Sequence, residues 1–156
     1  MTRWLDDHEQ RAWLRLAGVM LKLAPALDSQ LQRDSDMTHF DYLCLAMLSE
    51  AEERTLNMSE LANRVNASLS RLSHVVKKLE QRGWVGRLPS PESRRVTLAR
   101  LTDAGWDVLV AAAPGHVATV RSLVFDGLNR RDVAALERIA GHIVERIEKA
   151  GLRTTT

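Results

Sequence analysis

The sequence predicts a mainly α-helical fold that carries one small β-hairpin. Three observations predict it. Apolar residues recur at helical spacing towards both ends of the chain. Two short helical patterns joined by a tight turn occupy the middle. Directly after them comes RGWVGRLPSPESRRVTLARLT, residues 82–102, where two alternating runs flank a centre broken by Pro89 and Pro91.

The first helix is expected from Asp7 to Arg33. Leu16, Met20, Leu23, Leu27 and Leu31 form one face, which Trp13 and Val19 widen, and Pro25 should bend or break it. A second helix is expected over Thr38–Ala51, capped by Thr38 or Asp36, with Phe40, Leu43, Cys44, Met47 and Leu48 as its apolar face. Asn57 followed by Glu60 resembles a capping box and starts a short helix over 58–66, with Leu61, Ala62 and Val65 inward. Ser68 then caps SLSRLSHVVKKLEQRG, whose buried stripe is Leu72, Val75, Val76 and Leu79 and whose end is Gly83. Two short helices with a tight turn between them make a helix-turn-helix pattern.

Trp84–Leu88 is expected as a strand, Pro89–Glu92 as a turn, and Arg95–Leu101 as the return strand. A hairpin placed directly after such a second helix is a wing. Thr102 caps a further helix running to about Gly127, which Pro114-Gly115 should kink or interrupt. A last helix starts after Asn129. Its apolar face (Val133, Leu136, Ile139, Ala140, Ile143, Val144, Ile147) is broader than a solvated helix needs, and the terminal GLRTTT is expected to fray. The chain divides into an N-terminal helix (1–35), a central lobe (36–101) and C-terminal helices (102–156). The terminal helices cannot bury such stripes alone, so pairing with a second copy is expected: a homodimer built from residues 1–35 and 102–156.

Composition narrows the function. At 156 residues and 45% hydrophobic, the chain can bury a core. Its single cysteine, Cys44, excludes an internal disulfide and a cysteine-based zinc site. The five histidines (8, 39, 74, 116, 142) show no metal-type spacing, and no Gly-rich phosphate loop or nucleophile elbow is present, so neither an enzyme nor a cofactor is expected. The sequence shows no apolar run of 18 residues for a membrane span, and the charged N-terminus is unlike a secretory signal. A soluble cytoplasmic protein is the expectation.

Net charge is only +2, yet its distribution is uneven. Arg64 to Arg100 holds nine lysines and arginines against two acids, a local +7, while the remainder carries −5. This is the footprint of a polyanion-binding face, the alternative being a solvated charged surface. Ser68, Ser70, Arg71, Ser73, His74, Lys77 and Lys78 line the polar face of the helix after Ser68. Small serines permit close approach to a major groove, and Arg and Ser are groups that read its edges. Arg94 and Arg95 at the hairpin tip can reach a minor groove or its phosphates. Double-stranded DNA is the expected partner. A winged-helix module for protein–protein or RNA contacts is the alternative. The scarcity of aromatics on the basic face argues against a base-stacking platform.

The run from LNMSELANRVNASLSRLSHVVKKLEQRGWVGR to PSPESRRVTLARLTDAG resembles the winged helix-turn-helix core of the MarR (multiple antibiotic resistance regulator) family. The motifs are the SELA helix, the LE-x-RG-x-V helix end, and an arginine six residues before a Leu-Thr that opens a helix ahead of Gly105. The resemblance extends to the flanking helices. It implies a dimeric transcriptional regulator, in many members a repressor. Two recognition helices enter successive major grooves of a pseudo-palindromic operator, here 68–82, and the wings, here 84–101, reach the flanking minor grooves. It also implies release by a small phenolic or lipophilic ligand bound between the lobes. The family's wing-tip arginine falls on Arg95. Where the family carries an aspartate two residues earlier, this chain has Ser93, and Ser90 stands at another such position. A neutral hydroxyl cannot hold a guanidinium as a carboxylate does, so either Arg95 is less preordered or Glu92 substitutes.

Trp13, Met20, His39, Tyr42, Leu43, Trp106 and Val110 are candidates to converge on a ligand pocket near the lobe junction, with ordinary packing as the competing explanation. Some members of the family sense oxidants through one cysteine. Cys44, within FDYLCLAML and without an adjacent base, reads instead as a buried inert thiol.

Overall fold

The computed structural model describes residues 1–151; the rest of the expected frayed tail, 152–156, lies outside the described residues. Helix α1 (Asp7–Ser35) starts at Asp6. The Asp6 carboxylate accepts the His8 and Glu9 amides while Glu9 accepts the Asp6 amide, so orphan donors at the helix start are satisfied reciprocally. Helix α2 (His39–Glu50) uses Thr38 and Asp41 in the same way. Strand β1 (Thr55–Asn57) leads into α3 (Met58–Arg64) and α4 (Leu69–Gln81). Strands β2 (Val85–Pro89) and β3 (Thr97–Leu101) form the hairpin, and α5 (Asp103–Val120) and α6 (Arg130–Lys149) complete the chain.

The core lies where α2, α3, α4 and the sheet meet. Leu45, Leu48, Leu61, Leu72, Val76, Leu79 and Val85 are fully buried there, and Leu31 and Met37 close it from the end of α1. The sheet is antiparallel with order β1-β3-β2. Val85 pairs with Leu101 and Pro89 with Thr97, leaving residues 90–96 as the wing tip.

Several expectations change. Strand β1 was not expected. Its three residues pair with β3, Thr55 opposite Arg100, and the hairpin becomes a three-stranded sheet. The return strand begins at Thr97 rather than Arg95. Helix α2 buries Tyr42 and Leu45 as well as Cys44 and Leu48, while Leu43 stays half-buried, because the helix is packed on more than one side. Val75 is likewise half-buried.

Neither internal proline interrupts its helix. Pro25 and Pro114 cannot donate to Leu21 and Val110, but both of those residues are exposed, so water can serve the freed carbonyls. The irregularity in the long fifth helix falls later, as one π turn at Arg121–Phe125. The span Asp103–Phe125 is long and apolar enough, by length and composition alone, to cross a membrane, although no such segment was expected. Gly105, Leu109 and Ala112 are buried where α5 packs against α1 and α2, while most of the span is not buried within the chain.

The terminal helices leave much apolar surface open. Only the C-terminal part of the α1 stripe is buried, at Leu27 and Leu31, while Trp13, Leu16, Val19 and Met20 are exposed. Helix α6 buries no residue, and Leu136, Ile139, Val144 and Ile147 all face outward.

One close approach orients the rest. A Cβ on Gly105 would lie 2.1 Å from the Trp84 carbonyl oxygen, so only glycine lets α5 start against the beginning of β2. Gly105→Ala must move backbone, and overpacking of this kind should lower the thermal midpoint by roughly 5–10 °C, measured by circular dichroism.

Candidate nucleic-acid interface

Two local devices aim α3 and α4. The Asn57 side chain accepts the Glu60 amide at 2.7 Å and starts α3. The return bond of a capping box does not form, because the Glu60 carboxylate pairs with Arg64 at 2.7 Å instead. The chain turns through left-handed Asn66 (φ 51°), and Ser68 accepts the Arg71 amide to start α4. Leu72, Val76 and Leu79 press α4 onto the core, which turns Ser70, Arg71, Ser73, His74 and Lys77 to solvent, with Ser68 half-buried at the cap.

The end of α4 is a Schellman motif. The Gly83 amide (φ 77°) returns to the Glu80 carbonyl, the Trp84 amide to the Leu79 carbonyl, and Leu79 and Trp84 are both buried. Thr102 then locks the corner. Its hydroxyl donates to the Gly83 carbonyl at 2.7 Å and accepts the Gly105 amide at 3.0 Å. The wing therefore leaves α4 and returns to α5 at one point. A cleft of about 320 Å³ opens between α3, α4 and the wing, bordered by Met58, Leu69, Ser73, Arg87, Arg95 and Val96 among others.

The basic block is smaller than its count suggests. Arg64 is paired with Glu60, Arg82 with Asp36, and Arg87 with Glu80. The Arg87 guanidinium uses two nitrogens on Glu80, which holds that carboxyl below its ordinary range despite an opposing desolvation penalty. Arg82 also lies over the Trp84 ring at 3.7 Å, and Arg100 donates to Thr55. Lys78, expected on the exposed face, is half-buried. Its ammonium lies 2.7 Å from the carboxylate of Asp41, a residue only 1% exposed. Among the described residues, Lys77, Arg94 and Arg95 have no carboxylate partner. Arg71 has none either; its guanidinium lies 4.3 Å above the Phe40 ring.

The Ser93 hydroxyl accepts the backbone amide of Arg95 at 3.4 Å, and Ser90 accepts that of Glu92 at 3.3 Å. Both hydroxyls serve the turn. Neither Ser93 nor Glu92 holds the Arg95 guanidinium among the described residues.

Of the residues expected to line a ligand pocket, Trp13, Met20, Trp106 and Val110 are exposed and Leu43 is half-buried. Trp13 and Met20 stand exposed on α1, and Trp106 is covered by the Arg54 guanidinium at 4.2 Å. His39 and Tyr42 do meet, through His116, which belongs to no motif in the sequence. The His116 ring on α5 lies 4.3 Å from Tyr42 and 5.6 Å from His39. Only its helix-facing position hinted at this, one turn past Ala112. His116 Nδ1 and Gln30 Oε1 are buried without a hydrogen-bond partner among the described residues. Burial pushes both imidazoles below the ordinary histidine value. Asp28 partly offsets this at His39, and His39 adds to it at His116. Cys44 is fully buried, and desolvation, with Asp41 adding, pushes its thiol up to about 12, so it is inert at neutral pH.

The family model described as the MarR family matches residues 37–97. The crystal structure of Sco3205, a MarR family transcriptional regulator from Streptomyces coelicolor in complex with DNA, is 41% identical. It covers 94% of this chain and 92% of its own, with a TM-score of 0.91. AbsC, a MarR family transcriptional regulator from the same organism, is 36% identical, with coverage of 95% and 99% and a TM-score of 0.89. Among curated relatives, the transcriptional repressor MprA of Escherichia coli K12 is 25% identical over 69% of this chain and 61% of its own. The uncharacterized HTH-type regulator YdcH of Bacillus subtilis is 30% identical over 51% and 55%. The match thus spans less than two thirds of either curated relative.

The histidine pair makes stability pH-dependent. Both imidazoles are held below the ordinary value of 6.5, so the unfolded chain binds more protons as pH falls. Their contribution is complete above pH 6.5 and is lost as pH drops below it. The thermal midpoint should fall more between pH 7.5 and 5.5 in the parent than in His116→Phe. Parallel curves would show that this pair does not drive the change.

Proposed function

The chain belongs to the MarR family, and from that premise we propose that it is a transcriptional regulator, a repressor, that grips a pseudo-palindromic duplex operator as a homodimer. The observation that carries the reading is the cleft bordered by Ser73 of α4 and Arg95 of the wing. It sets the exposed helix face beside the wing tip. In this reading Ser68, Ser70, Arg71, Ser73 and His74 face the edges and phosphates of a major groove, and Lys77 contacts the backbone. Arg94 and Arg95, with no carboxylate partner among the described residues, take the flanking minor groove or its phosphates. Lys78 enters through its tie to Asp41, which fixes α4 against α2. The 36–101 lobe is the DNA-binding unit.

Affinity for DNA beside its own gene should exceed that for a scrambled duplex by about a thousandfold at physiological salt, read by fluorescence anisotropy. Arg71→Ala should weaken binding and change base preference. Arg95→Ala should lower affinity on both duplexes and reduce the salt slope by about one. Equal binding of the parent to both duplexes would reject the site-specific reading.

The dimer rests on the open apolar faces of the terminal helices, a set that water disfavours and a second copy would cover. The parent should sediment at twice the chain mass, and Ile139→Glu on α6 should shift it towards the monomer. An effector that releases DNA would act at the α1–α2–α5 junction, where Gln30 Oε1 and His116 Nδ1 are buried without a hydrogen-bond partner among the described residues.

A further inference from the structure

We propose that Phe40 is a positioning residue for sequence readout: its ring holds the Arg71 guanidinium ready to take both acceptors of a guanine in a major groove. This rests on the reading of α4 as the groove-entering helix.

Phe40 is the second residue of α2, outside the helix-turn-helix itself. It is half-buried and packed against the core cluster, so its ring is anchored rather than free. Arg71 is the third residue of α4, in the turn that first meets a groove edge. Its Cζ lies 4.3 Å from the Phe40 ring centroid, a cation–π contact between two helices.

The manner of holding is what matters. Arg64, Arg82 and Arg87 are each held by a carboxylate, which consumes N–H donors and cancels charge. The Phe40 ring does neither. Among the described residues the Arg71 guanidinium makes no hydrogen bond, so its donor fork stays available. An arginine on a long flexible stem must be ordered before it can read a base, and here the ordering is done beforehand. The base that matches a planar two-pronged donor is guanine, through O6 and N7.

The test uses the full chain in four forms: parent, Arg71→Ala, Phe40→Leu and Phe40→Tyr. Selection from a randomised duplex library with the parent defines the preferred site. Arg71→Ala then identifies the base pair that Arg71 reads, as the position where preference disappears. That position should be a G·C pair. Phe40→Leu keeps an apolar contact with the core but removes the ring. It should reduce the preference for that guanine by about two- to fivefold, the worth of an exposed cation–π contact. Its salt slope and its binding to scrambled duplex should match the parent, and Phe40→Tyr should restore the preference. The proposal is overturned if Phe40→Leu keeps the parent's preference, or if Phe40→Tyr behaves like Phe40→Leu. Equal weakening on selected and scrambled duplex would overturn it too, since a merely structural role predicts that. A parent that selects no site at all would reject the underlying DNA reading first, and the proposal with it.

Discussion

One threonine hydroxyl ties three segments of the chain together. Thr102 donates to the Gly83 carbonyl, accepts the Gly105 amide, and sends its own backbone N–H to the Trp84 carbonyl. The end of α4, the start of the wing and the start of α5 therefore share one corner. Two glycines make the corner possible for different reasons. Gly83 supplies a left-handed turn, and Gly105 supplies the absence of a Cβ where a carbonyl passes. Trp84 and Leu79 close it with buried apolar contact. The direction of the wing relative to α4 follows from this corner, and so does the position of α5, the helix that joins the central lobe to α1.

Electrostatics is organised around the same frame. Most cations of the central block serve the fold. Lys78 offsets a buried carboxylate on α2, Arg82 binds Asp36 at the end of α1, and Arg87 braces the first wing strand against α4. The buried Asp41 has the largest consequence, since a carboxylate in such surroundings is costly without a partner. What remains without a carboxylate among the described residues is Arg71, Lys77, Arg94, Arg95 and Arg100, and of these Arg100 is engaged by the Thr55 hydroxyl. Charge that is neutralised locally cannot release counterions from a polyanion, so these unneutralised cations matter more for binding than the local total of +7.

The terminal helices obey a different constraint. Helix α5 is apolar over most of its circumference, and α6 is amphipathic with no buried residue. Within one chain, α5 packs on α1 and α2 and leaves the rest of the apolar surface uncovered. The His39–Tyr42–His116 cluster sits where this scaffold meets α2.

The sequence by itself determined what depends on neighbours three or four residues away. Thr38, Asn57, Ser68 and Thr102 cap their helices as their side-chain chemistry predicts, and Gly83 ends α4. The apolar stripe Leu72–Val76–Leu79 was legible for the same reason, because helical period is a local property. The polar face of α4 and the arginines of the wing tip were legible by subtraction from that stripe. Tertiary structure alone decided which polar groups remain available. Lys78 reaches Asp41 across 37 residues and Arg82 reaches Asp36 across 46, and neither pairing leaves a periodic trace. Strand β1 is too short to announce itself and exists because β3 offers it an edge. His116 joins His39 and Tyr42, and Arg71 finds Phe40, only once the helices are packed. Local hydrogen bonds are written in residue spacing. Contacts between distant segments are set by how the core closes, which spacing does not encode.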